Sequence, residues 1–156
     1  MSSCTFCDLI KENNRAIFYQ DPLFIAMWSS LPAFPGHTLV MPKRHVRRFR
    51  EMNNEEMRQI AFAVSAAKTK IGQADLKDVC DNLEVISNQS KDLITRALAQ
   101  LKTHNYVSPK AFNDGINDGT EAGQVTPHLH WHILPRWDKS ENENIVDRIT
   151  NKSGTL

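Results

Sequence analysis

The chain has 156 residues, 40% of them hydrophobic and 24% charged, with 19 Lys and Arg against 18 Asp and Glu. That is enough for one buried core and lies far from the low-hydrophobicity, high-charge composition of disordered chains. A net charge of +1 speaks against a protein whose main business is neutralising nucleic-acid phosphates, which needs a basic excess. The longest apolar run, residues 23–28, is six residues long, against about 20 for a helix that crosses a bilayer. With no basic stretch leading into an apolar one near the N-terminus, the expectation is a cytoplasmic protein with no membrane partner and no specific nucleic-acid partner.

In chain order, segments 16–19 and 23–28 are rich in branched and aromatic residues and flank Asp21-Pro22, which predicts a hairpin. Gly36 opens a third strand over 37–41, closed by Pro42 because proline cannot donate to the ladder. Met57, Ile60, Ala61, Val64, Ala67 and Ile71 recur at three- and four-residue spacing, the signature of a helix, with Asn54 as its cap and Gly72 as its stop. Leu93, Ile94, Ala97, Leu98 and Leu101 predict a second helix, capped by Ser90 and ending near His104. Residues 75–89 carry no clear pattern. The stretch 111–123 contains Asn-Asp-Gly twice and leads to an alternating segment, 128–134, closed by Pro135. The expected organisation is one domain over 1–137 and a polar tail over 138–156, in which Ile145, Val146 and Ile149 sit at a possible helical spacing.

The alternating segment carries the chemistry. On a strand, residues two apart point to the same face and lie about 6.8 Å apart along the chain. His128, His130 and His132 therefore share a face, while Leu129, Trp131 and Ile133 face a core that can hold them rigid. A solvated polar face and a three-histidine catalytic metal site are the competing readings of the same residues. Cys4-x-x-Cys7 has the spacing of half a tetrahedral thiolate site, as against two exposed thiols. His45 and one histidine of the triad would complete a closed shell, which is structural rather than catalytic. The third cysteine, Cys80, reads as a buried small residue. The glycine-rich run 117–124 offers backbone N–H groups and an amide side chain to an anion. Lys43, Arg44, Arg47, Arg48 and Arg50 form a basic cluster that reads as a solvated face or as an attractor of polyphosphate ligands.

Together, His128-x-His130-x-His132 with its two trailing apolar residues, residues 35–45 (PGHTLVMPKRH) and Gly123-Gln124 at their spacing to His128 resemble the histidine triad superfamily of nucleotide hydrolases and transferases, in its zinc-containing, dinucleoside polyphosphate hydrolase form. The resemblance implies an α+β fold, an antiparallel sheet of about five strands with a long helix packed on it, with an additional helical insertion near 90–104, and a homodimer that continues the sheet. It implies that His130 attacks the α-phosphorus of a dinucleoside polyphosphate or nucleoside phosphoramidate, and that His132 donates to the phosphate or leaving group. Gln124, Asn117 and the Gly123 backbone would hold the phosphoryl oxygens. Asn117 rather than Asn113 has the family spacing to Gly123. Ser29 falls where many relatives place an acidic or amide residue for the ribose, and Val125 where a serine or threonine often donates to phosphate. The resemblance further assigns Cys4, Cys7, His45 and His128 to a structural zinc. A second class of function, a zinc-stabilised nucleotide-binding sensor or adaptor with negligible turnover, uses the same residues.

Overall fold

The computed structural model describes residues 4–138. The hairpin forms from β1 (Ile17–Gln20) and β2 (Phe24–Trp28), closed by an Asx turn in which Asp21 Oδ1 accepts from the backbone N–H groups of Leu23 and Phe24 at 2.8 and 2.7 Å. With β3 (Thr38–Pro42), β4 (Ala111–Ile116) and β5 (Trp131–Arg136) they make a five-stranded sheet in the order β1-β2-β3-β5-β4, antiparallel throughout. The α+β architecture implied by the family resemblance is the one observed.

Two strands differ from the sequence reading. β4 was not anticipated, because Asn113-Asp114-Gly115 has turn chemistry; here those residues pair with Leu134, Ile133 and His132. β5 starts at Trp131 rather than at His128, since the preceding residues have left the sheet and are held by another partner, the Leu129 N–H donating to the Val46 carbonyl at 2.6 Å. β5 also runs through Pro135. Its pairing with β3 stops at Thr38↔Ile133, so on that side no ladder N–H is needed at Pro135.

Side-chain alternation gives the sheet two apolar faces. Phe24, Ala26, Val40, Leu129 and Ile133 join Ala63, Ala67 and Ile71 of α2 (Asn54–Gln73) in the main core. Ile25, Met27, Leu39 and Met41 point the other way, where α1 (Thr5–Lys11) lays Phe6, Leu9 and Ile10 on them. The long helix on the sheet is α2. Its cap is Asn53, not Asn54: the Asn53 side chain accepts from the N–H groups of Glu55 and Glu56, and the Glu56 carboxylate returns to the Asn53 N–H, a full capping box. Arg44 clamps the same buried carboxylate through two bonds of 2.9 and 2.7 Å. Met57 is 42% exposed, so the buried stripe begins at Ile60.

The patternless stretch contains α3 (Leu76–Asp81), and the predicted insertion is α4 (Asn88–Thr103). Ser87, not Ser90, caps α4; Ser90 is buried in the first turn, where its hydroxyl donates to the Ser30 carbonyl at 2.8 Å. Leu76 and Cys80 of α3 and Ala97 and Leu101 of α4 belong to the same core as α2. The insertion thus extends the helical cover on the main-core side, away from α1. The spacing at Ile145, Val146 and Ile149 lies outside the described residues. Asn53→Ala removes the acceptor for two helix N–H groups and should lower stability by about 1 kcal/mol, read as a shift in the urea midpoint at unchanged slope.

Candidate active site

The segment 128–132 keeps the extended alternation although only its end is in the sheet. Leu129, Trp131 and Ile133 pack into the main core, and the three imidazoles turn to the α1 side, all at 8% exposure or less. The rings of His130 and His132 are 4.8 Å apart at 65°.

The hydrogen bonds fix a tautomer at each ring. His130 Nδ1 lies 2.7 Å from the His128 carbonyl; a carbonyl only accepts, so Nδ1 carries the proton and Nε2 keeps its lone pair. His37, within the 35–45 segment, stands at the head of β3. Its Nδ1 accepts from the Ala33 N–H at 3.1 Å, so its proton is on Nε2, which donates to His132 Nδ1 at 3.0 Å. The proton of His132 is therefore on Nε2. That atom is buried with no hydrogen-bond partner among the described residues. An orphaned buried donor costs roughly 1–3 kcal/mol. It stands beside the one ring of the triad whose free lone pair faces no neighbour through a hydrogen bond. No sequence spacing pointed to His37; the Leu39↔His132 register between β3 and β5 brings it in.

The loop before the triad is held from several sides. Gln124 spends its whole amide locally: Oε1 accepts from the Gly119 N–H at 2.9 Å, and Nε2 donates to the carbonyls of Arg47 and Thr126 at 3.0 and 3.1 Å. These bonds fasten the loop from Gly119 to Thr126 and tie it to Arg47. Asn117 Nδ2 donates to the Gly123 carbonyl at 3.3 Å, closing the loop at its two ends, and Gly123 is left-handed at φ 87°. Asp118 accepts from Arg48 Nε at 2.9 Å and from the Phe49 N–H at 3.2 Å. Gly119 has φ 115°, a backbone conformation that L side chains rarely adopt, which explains the glycine. Arg44 and Arg48 of the basic cluster are thus paired with Glu56 and Asp118 and are not an uncommitted cationic face. Ser29 is buried, its hydroxyl accepting from the Leu31 N–H at 3.2 Å. Val125 is 56% exposed.

The cluster of Cys4, Cys7, His45 and His128 assembles as the resemblance implied, with one donor atom from each residue, all within 4.8 Å of one another. His128 Nδ1 is 3.6 Å from Cys4 Sγ and 3.5 Å from Cys7 Sγ; the S···N edge of a tetrahedron around zinc is about 3.6 Å for bonds of about 2.3 and 2.05 Å. His128 Nε2 donates to the Pro42 carbonyl at 2.8 Å, which leaves Nδ1 bare and aimed at the thiols, the orientation a metal-binding imidazole needs. The donor set fits a closed tetrahedral metal. His130 and His132 stand outside it, so the reading of all three histidines as ligands does not hold.

The chain matches the HIT domain family over residues 10–139 and belongs to it. It is similar to a bifunctional bis(5'-adenosyl)-triphosphatase/adenylylsulfatase of Arabidopsis thaliana, 31% identical over 148 residues that cover 94% of this chain and 64% of that protein. It is also similar to the asymmetrical bis(5'-nucleosyl)-tetraphosphatase of Schizosaccharomyces pombe, 28% identical over 142 residues, 90% of this chain and 60% of that protein. The chain spans somewhat less than two thirds of either relative. Its fold resembles that of a zinc-bound histidine triad family protein from Mycobacterium smegmatis, with a TM-score of 0.58, 24% identity and coverage of 90% of this chain and 80% of the other.

The site holds its imidazoles neutral. Burial lowers His37 to about 4 and is also the main cause of the downward shifts of His130 and His132. In the unfolded chain a histidine titrates near 6.5. Above that pH both states are neutral and the stability is intact; as pH falls from about 6.5 to about 4 the unfolded state takes up protons that the folded state refuses, and stability is lost. Urea midpoints should therefore fall across that window, and His37→Asn should flatten the slope by close to one proton's worth. An unchanged slope would contradict the buried neutral ring.

Proposed function

We propose that the chain is a nucleotide hydrolase of the histidine triad type, cleaving a dinucleoside polyphosphate or a nucleoside phosphoramidate at the α-phosphorus through a covalent nucleotidyl-His130 intermediate. The observation that carries this reading is the pairing of a bare His130 Nε2 with the orphaned Nε2–H of His132. A nucleophile and a donor stand side by side on adjacent rings. The names of the two similar proteins, each a dinucleoside polyphosphate hydrolase, support the same bond class.

The His130 Nε2 lone pair attacks phosphorus as the bond to the leaving polyphosphate or amine breaks, and the leaving group departs with the electron pair. His132 Nε2–H donates to the phosphate and passes its proton to the leaving oxygen, or to the nitrogen of a leaving amine, as negative charge moves there. Behind it, the His37 Nε2–H bond to Nδ1 keeps the His132 proton on the right nitrogen. Water then attacks the phosphorus and returns a proton to His132 Nε2, the P–N bond breaks, and the electron pair returns to Nε2 of His130. Nucleoside monophosphate leaves. Asn117, Gln124 and the Gly123 backbone serve the phosphate from the loop before the triad, Val125 offers its backbone N–H on the same side, and Ser29 falls on the ribose side. Zinc on Cys4, Cys7, His45 and His128 would tie the N-terminus to the catalytic segment; as a closed shell it offers no position to substrate.

A homodimer fits the same architecture. β4 is a sheet edge, which left bare is a template for another strand. Between α2 and that edge lies a groove of about 390 Å³ lined by Ile60, Val64, Lys68, Asp114 and Trp131.

Rapid quench with a dinucleoside polyphosphate labelled in its adenylyl group should trap acid-labile label on the protein. His130→Ala should lose the label and roughly three orders of magnitude or more in kcat. Binding without label or turnover in the unchanged protein would favour the sensor reading instead. Mass measurement under native conditions should give two chains carrying one zinc each, and chelation should lower the melting temperature, since a metal bound only by the folded state stabilises it.

A further inference from the structure

Phe6 lies between Cys4 and Cys7 in sequence, in the first turn of α1. At seven residues, α1 is too short to persist by its own hydrogen bonds. Its attachments are the apolar side chains Phe6, Leu9 and Ile10 against the Ile25, Met27, Leu39 and Met41 cluster and the two cysteines at His45 and His128. These attachments meet at Phe6. Its ring lies 5.1 Å from the His130 ring at 80° and 6.0 Å from the His128 ring at 72°.

His130 has few other restraints on its ring. Nδ1 donates to the His128 carbonyl, and on the far side stands the His132 ring. A turn of the imidazole about its own axis would carry Nδ1 away from the His128 carbonyl and put the Cε1–H where the Nε2 lone pair should be. The phenyl ring opposes that turn. It packs edge against face with its neighbour, a favoured aromatic geometry, and it offers no polar atom that could compete for the Nδ1 proton.

We propose that Phe6 is a positioning residue for the nucleophile: set between the two cysteines in sequence, its ring holds the His130 imidazole in the attacking orientation, so that the Cys4, Cys7, His45 and His128 cluster acts on the chemistry as well as on the fold. The proposal rests on the reading of His130 as nucleophile for its kinetic consequence, but the ring contact itself does not. Two routes lead from the cluster to His130, one through the Phe6 ring and one through the His128 carbonyl. Removing the phenyl ring opens the first and leaves the second intact.

The test uses Phe6→Leu, which keeps an apolar side chain on the sheet but removes the ring, and Phe6→Tyr, which keeps the ring. Zinc content and melting temperature of the full-length variants are measured first, then kcat and KM on a dinucleoside polyphosphate, then the NMR signal and solvent exchange of the His130 Nδ1–H. The expected result for Phe6→Leu is full zinc content, a kcat lower by roughly tenfold with KM changed less than about twofold, and faster exchange of the Nδ1 proton; Phe6→Tyr restores both readouts. The proposal is overturned if Phe6→Leu leaves kcat and Nδ1–H exchange unchanged, or if kcat falls only in step with zinc content and Phe6→Tyr fails to restore it. The exchange measurement needs no turnover, so it still judges the ring contact if His130→Ala retains activity and the catalytic reading fails.

Discussion

The 2.7 Å hydrogen bond from His130 Nδ1 to the His128 carbonyl decides what the site can do. It places the proton on the inner nitrogen and so makes the outer one a base. The bond is strong only if His128 is itself immobile, and His128 is held at both ends of its ring, by the Pro42 carbonyl and by the thiols of Cys4 and Cys7. One residue thus serves both groups: its ring belongs to the Cys4, Cys7, His45 and His128 cluster and its backbone sets the tautomer of His130, the proposed nucleophile. The cluster lies two residues from that ring, so the two groups are built on one segment.

Burial supplies the second half of the design. Desolvation disfavours imidazolium, and the histidines of the site are lowered by it. A neutral base remains available well below the usual histidine range, at the expense of acid stability. The phosphate of the proposed substrate would bring negative charge to a donor, His132 Nε2–H, that no group among the described residues satisfies. Extended-chain parity separates this polar side from the core, with Leu129, Trp131 and Ile133 packed among the main-core residues.

Much of this was legible because it depends on short periods and on residue type. The alternation at 128–133 told which side chains face the core, the Asp21-Pro22 turn located the first hairpin, and the three- and four-residue spacing marked α2 and α4. What escaped depends on pairings far apart in sequence. His37 acquires its role only through the register of β3 on β5, 95 residues away. β4 was hidden by turn-forming residues that the neighbouring strand overrides. The tie from the Gln124 amide to the carbonyl of Arg47, 77 residues upstream, is a second such pairing. The helix caps were misplaced by one residue at Asn53 and three at Ser87, since Asn53 and Asn54 are chemically alike and Ser87 and Ser90 both stand near the start of α4. Only the returning Glu56 carboxylate and the Ser90 to Ser30 bond distinguish them.

The central claim concerns where three protons sit, and neutron diffraction from a deuterium-exchanged crystal sees them directly. Deuterium on Nδ1 of His130, on Nε2 of His37 and on Nε2 of His132, with His130 Nε2 bare, is the arrangement required. Deuterium on His130 Nε2 would leave no lone pair for phosphorus and would contradict the account.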